Sequence, residues 1–336
     1  MKGLPMFKRL LLTLLLFTGA PLANAADEIV IYSARKEHLL KPILDAYRAK
    51  TGVETRYLTD GEGPLLARLQ AEGTDTPADL LITVDAGNLW HAAERGVLAP
   101  VESRTLADNI PAHLRDPANQ WFGLSVRART IVYSTERVKP ADLSSYEDLA
   151  DPKWKNRLCL RSSEKIYNQS LVAMMIARHG EEATERIVRG WVGNLAAPVF
   201  SNDTKLMEAM AAGKCDVGIV NTYYFGALLK DKPATPVALF WANQGSSGTH
   251  VNVSGAGVTR HAKHKAEAIK LLEWLSTPEA QQLFAELNME FPVNPAVKPH
   301  ASVAAWGDFK GENLNLSLAG KFQTDAVRLM DRAGYK

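Results

Sequence analysis

The sequence predicts an α/β protein built of two similar units, each a sheet flanked by helices. Three observations carry this. Strand-like and helix-like segments alternate from residue 28 to 95, and the alternation returns between residues 158 and 221. Between them lies one unbroken extended run, residues 120–133, long enough to pass from one unit into the other. Such alternation marks a doubly wound sheet. A chain of 336 residues also exceeds what one hydrophobic core normally organises.

In order, residues 28–33 read as a strand, and residues 37–50 as a helix with Leu39, Leu40, Ile43, Leu44, Ala46 and Tyr47 on one face. Gly52 is its stop signal. Residues 53–58 alternate as a second strand, Gly61 and Gly63 make a turn, and Pro64 to Gln70 begins a helix. Residues 78–84 form a third strand, followed by Asp85-Ala86-Gly87 and a helix around 89–95. In the second unit, 144–154 reads as a short helix and turn and 158–161 as a strand. Helices follow at 169–179, 181–190 and 204–212, with strands at 197–200 and 216–221. Extended pieces in 237–258 return towards the first unit, and 262–275 and 278–287 are helices. Tyr32 and Tyr133 sit inside strand-like runs and read as core.

Residues 1–25 have the form of a secretory signal: Lys2, Lys8 and Arg9, then the apolar run Leu10 to Leu16, then Ala23-Asn24-Ala25. Removing that stretch takes 39 basic residues to 36, against 37 acidic ones. So near-neutral a chain argues against bulk nucleic-acid binding. Cys159 and Cys215 are the two cysteines. In an oxidising compartment they read as a disulfide between neighbouring strands, with two buried thiols as the alternative. Neither a CxxC pair nor paired histidine spacing supports a Cys-metal site. A secreted hydrolase finds no G-x-S-x-G elbow and no H-E-x-x-H.

The stretch Gly218 to Gly226 stands out: a short apolar run, then Tyr223-Tyr224, then Phe225 and Gly226. With the run as a strand and the following Gly-Ala-Leu-Leu opening a helix, both rings lie at the carboxyl end of a strand, where open α/β sheets place ligands. Two phenolate oxygens suit a hard, highly charged cation. The ordinary reading of a Tyr-Tyr pair is aromatic core and rim.

The segments I-Y-S-A-R (31–35), D-L-L-I-T-V-D-A-G-N-L-W (79–90), G-L-S-V-R-A-R-T-I-V-Y (123–133), Y-N-Q-S-L (167–171), N-T-Y-Y-F-G (221–226) and N-V-S-G-A-G-V (252–258) together resemble the ferric-iron-binding periplasmic proteins of bacterial ABC importers. The resemblance implies a two-lobed periplasmic-binding-protein fold, each lobe a doubly wound mixed sheet, the lobes joined by crossover strands. One lobe would take residues 26–125 and about 250–301, the other 126–249 and about 302–336. It implies Fe³⁺ held in the cleft by Tyr167, Tyr223 and Tyr224, with carbonate or a similar synergistic anion at Arg35 and Arg127. It implies a periplasmic monomer that delivers iron to an inner-membrane ABC permease. Ser33, Asp85 and Ser125, after strands or in the crossover, are candidates to surround the site; each is otherwise a turn or capping residue. Some relatives place a ligating His and Tyr directly after the Y-S-x-R segment; here those positions are Lys36 and Glu37. A three-tyrosine site completed by an anion is therefore expected, with His38 as a solvated residue at a helix start. Arg129 is expected to pair with a carboxylate. The rival reading keeps the fold and gives Arg35 and Arg127 a small organic or oxyanion solute.

Overall fold

The computed structural model describes residues 28–336; the stretch 1–25 read as a secretory signal lies outside the described residues. In chain order the strands are β1 (Ile29–Ser33), β2 (Thr55–Thr59), β3 (Leu80–Val84), β4 (Phe122–Ser134), β5 (Leu158–Cys159), β6 (Val217–Asn221), β7 (Val237–Phe240), β8 (Val251–Val258) and β9 (Phe291–Pro292). The helices that matter to the site are α1 (Glu37–Thr51), α2 (Ala86–Glu94), α3 (Ile166–His179), α4 (Asp203–Ala211) and α5 (Thr222–Asp231).

β1 lies between β2 and β3 and runs parallel to both. The helix α1 buries Leu40, Ile43, Leu44 and Tyr47. It ends where Gly52 takes φ of 73° and returns its N–H to the Arg48 carbonyl, a left-handed stop that glycine adopts without Cβ strain.

Everything is joined through β4, a strand of 13 residues buried along its whole length. Its first half, from Phe122 to Ala128, pairs antiparallel with β8, which also runs antiparallel beside β3. Its second half, from Arg129 onward, pairs antiparallel with β6 on one edge and β7 on the other. The apolar packing changes over at the same point. Ala128 belongs to a core with Ile29, Trp121 and Phe284, and Ile131 to a core with Trp154, Trp191 and Leu329. Arg129 stands at the junction. The fold is thus a two-lobed mixed α/β structure in which the extended run 120–133 crosses between lobes.

Cys159 and Cys215 form a disulfide. The parallel pairing of β5 with β6 sets Cys159 beside Gly218 and brings the chain at Cys215 within reach. Closing a separation of 56 residues restricts the unfolded chain enough to stabilise the fold by about 4 kcal/mol.

Two local expectations are corrected. Residues 197–200 do not form a strand; only Phe200 makes a bridge, to Arg161. Pro198 has no N–H to give a ladder. The second correction concerns the tyrosine pair. The helix α5 starts at Thr222, so Tyr223 and Tyr224 occupy its first turn instead of preceding it. Neighbours in a helix differ by ~100° about the axis, against ~180° in a strand, which leaves the two rings able to touch. Their centroids are 4.4 Å apart at an interplanar angle of 38°.

Candidate metal-binding cleft

Three helix starts converge here: those of α3, α4 and α5. Each brings the positive end of a helix dipole, which favours anionic groups. Arg129 ties them together. Its Nε and Nη2 donate to Asn168 Oδ1 at 2.9 and 2.6 Å, and its Nη1 donates to Asp203 Oδ2 at 3.1 Å and Asn221 Oδ1 at 3.0 Å. Asn168 follows Tyr167, and Asn221 is two residues before Tyr223. The expected carboxylate partner of Arg129 is Asp203, which also accepts the Asn221 backbone N–H at 2.9 Å. Five guanidinium donors in a fixed plane can hold several loops at once, which an ammonium cannot.

Tyr167, Tyr223 and Tyr224 are half-buried; the Tyr223 and Tyr224 rings pack together, and the Tyr167 phenol is a neighbour of Tyr223. Asn221 Nδ2 donates to the Tyr223 hydroxyl at 3.2 Å. Burial raises the Tyr167 phenol above its ordinary value, and the Arg127 guanidinium opposes part of that rise. The Tyr223 phenol is raised well above, first by burial and then by the neighbouring Tyr167 and Tyr224. Such phenols hold their protons at neutral pH until a cation takes the oxygen.

Arg127, on the first half of β4 beside β8, and Asp85, at the start of α2, complete the cluster. The Arg127 guanidinium stands 5.6 Å from the Tyr167 ring centroid. It is 2 % exposed, and neither Nη1 nor Nη2 has a hydrogen-bond partner. Its approach to Asp85 is long, 3.5 Å from Nη2 to Oδ2. Asp85 is well held elsewhere: it accepts from Ser170 Oγ at 2.6 Å, Asn252 Nδ2 at 3.0 Å and the Gly87 N–H at 3.0 Å. The Ser170 bond joins the lobes. Asp85 has φ of 76°, an uncommon conformation outside glycine that these bonds sustain.

The structure does not bring Arg35 into this cluster. Its Nη2 donates to Glu290 Oε2 at 2.8 Å and its Nη1 to Ser125 Oγ at 3.2 Å. Ser125 Oγ also donates to Glu290 at 2.9 Å, and Ser33 Oγ accepts the Arg35 backbone N–H at 3.1 Å. Ser33 and Ser125 therefore support the Arg35–Glu290 pair. Lys36, Glu37 and His38 are exposed. Glu37 accepts from the Tyr57 hydroxyl at 2.8 Å.

Sequence reasoning missed Arg161, buried just beyond β5. Its guanidinium carbon lies 5.5 Å from the Tyr167 ring centroid and 5.6 Å from that of Tyr224. Its only local signal was an arginine at the end of the strand read over 158–161. Asn168, Asp203 and Asn221 were also missed, because Asn or Asp at a helix start is ordinary capping. Among the described residues no group of His, Cys, Asp and Glu is arranged to hold a metal ion. The oxygen groups that the cleft gathers include the three phenols and the Asp85 carboxylate.

Residues 75–308 match the family described as bacterial extracellular solute-binding protein. The chain is 41% identical over 326 residues to iron uptake protein A1 of Synechocystis sp., covering 94% of this chain and 91% of that one. It is 43% identical over 335 residues to iron uptake protein A2 of the same organism, covering 97% and 95%. Among solved structures it resembles Trichodesmium FutA (IdiA) in complex with iron and citrate, with a TM-score of 0.89, 44% identity, and coverage of 92% of this chain and 100% of that one. The chain belongs to the bacterial extracellular solute-binding proteins, a family of transport binding proteins and not of enzymes, and within it stands with the iron-uptake and ferric-iron-binding proteins.

Proposed function

We propose that this protein captures Fe³⁺ in the periplasm, between its lobes, and delivers it as a monomer to an inner-membrane ABC permease. The ligands are the phenolates of Tyr167, Tyr223 and Tyr224, with carbonate or a similar anion beside Arg127. The observation that carries this reading is the clustering of Tyr167, Tyr223 and Tyr224 beside the buried Arg127, whose Nη1 and Nη2 make no hydrogen bond. Three phenolates neutralise Fe³⁺, and a guanidinium pairs with a planar oxyanion through parallel charge-assisted bonds. The names of the relatives support the choice of cargo. The moving bodies are lobe 1, residues 26–125 with about 250–301, and lobe 2, residues 126–249 with about 302–336. Closure is favoured only as far as iron binds the closed state better than the open one. Against an organic anion gripped by Arg35 and Arg127 stands the Glu290 carboxylate, which already matches the Arg35 charge.

Iron-stripped protein mixed with ferric citrate and bicarbonate, then freed of excess by gel filtration, should retain one iron per chain by elemental analysis. Protein that retains none, and instead carries an organic anion detectable by mass spectrometry, would overturn the reading.

A further inference from the structure

The charges in the cleft leave an imbalance. Arg127, Arg129 and Arg161 are 2 %, 2 % and 6 % exposed. The carboxylates that touch them are Asp85 and Asp203, both fully buried. Asp203 is shared: Oδ2 lies 3.1 Å from Arg129 and Oδ1 lies 3.5 Å from Arg161. Since Arg129 makes the shorter bond and has all its donors engaged, Arg161 keeps the weaker share. Its Nε has no hydrogen-bond partner. A buried guanidinium with an open donor is costly unless a partner arrives. Iron with three phenolates adds no net charge, so the incoming metal does not remove the imbalance. An anion does.

Resting on the ferric reading above, we propose that Arg161 is the second guanidinium of the anion site. It works with Arg127 beside Tyr167 to hold one small planar oxyanion of the carboxylate class. Arg35, engaged by Glu290, does not fill that role. Two sources supply this chemistry: dissolved carbonate, or a carboxylate arm of the organic acid that brings the iron.

The test is iron loading of the full mature chain in carbon-dioxide-free buffer. Iron is supplied as its acetohydroxamate complex, which carries no carboxylate. Bicarbonate is titrated in one arm and citrate in the other. Wild type should load iron with a defined half-saturating anion concentration. Arg161→Gln should raise that concentration about tenfold or more, the loss of one charge-assisted contact, and Arg161→Lys should raise it less. The arm with the larger shift identifies the source. Equal half-saturation in wild type and Arg161→Gln in both arms would overturn the proposal, as would iron loading that needs no anion. Neither result would touch iron binding itself. Wild type that loads no iron in either arm defeats the ferric reading and this inference with it. Should Arg161→Gln fail to fold by near-ultraviolet circular dichroism, Arg161→Lys decides: an unchanged half-saturation there overturns the proposal.

Discussion

Iron affinity should rise at least about 100-fold for each pH unit between roughly pH 6 and 8, from Tyr167 and Tyr223 alone. Burial lifts the phenols of Tyr167 and Tyr223 above their ordinary value. Both are therefore protonated in the iron-free protein throughout that range, and both must lose the proton to bind as phenolates. Each proton released contributes a factor of ten per pH unit to the apparent constant. The sign is fixed by the direction of the shifts: raised phenols mean proton release on loading, so acid favours the iron-free form. Competition against a chelator of known protonation behaviour, repeated across the pH range, reads the slope directly. A flat profile would mean that these two phenols do not ligate. A steep one also gives a route to release, because protonation and anion loss both weaken the same site.

Replacing Arg129 by methionine should destabilise the protein by about 3 kcal/mol and abolish iron loading. The side chain lies where the two apolar cores meet and bonds Asn168, Asp203 and Asn221. Its removal leaves Asp203 with only the long contact to Arg161 and the Asn221 N–H. It also frees the first turns of α3 and α5, which carry the tyrosines. Lysine should not restore stability, since one ammonium cannot span three partners. Urea denaturation measures the first effect, and elemental analysis after loading measures the second. A methionine variant as stable as wild type that still retains iron would show that the helix starts are held by other means.

The architecture was legible wherever periodicity is strong. The face of α1, its Gly52 stop and the long crossover strand β4 all follow from local pattern. The bridge from Cys159 to Cys215 was one of two open readings, and strand pairing decides it. Reading failed where a contact far along the chain overrides the local signal. Residues 218–224 look like a strand leading to a turn. The chain bends at Asn221 because Arg129 and Asp203, brought from other segments, hold it there. The arginines show the same limit. Arg35 and Arg161 each follow a strand, and nothing local tells them apart. Arg35 is taken by Glu290, 255 positions away, while Arg161 shares Asp203 with a stronger competitor. Which guanidinium stays available is a property of the folded cleft.

The visible spectrum of the iron-loaded protein tests the central claim, that phenolates hold the metal. Wild type should show a phenolate-to-iron charge-transfer band that gives the protein a red-purple colour. The band should weaken or shift in Tyr223→Phe and disappear when Tyr167, Tyr223 and Tyr224 are all replaced by phenylalanine. Iron-loaded wild type without such a band, or a triple variant that keeps it, would contradict the account.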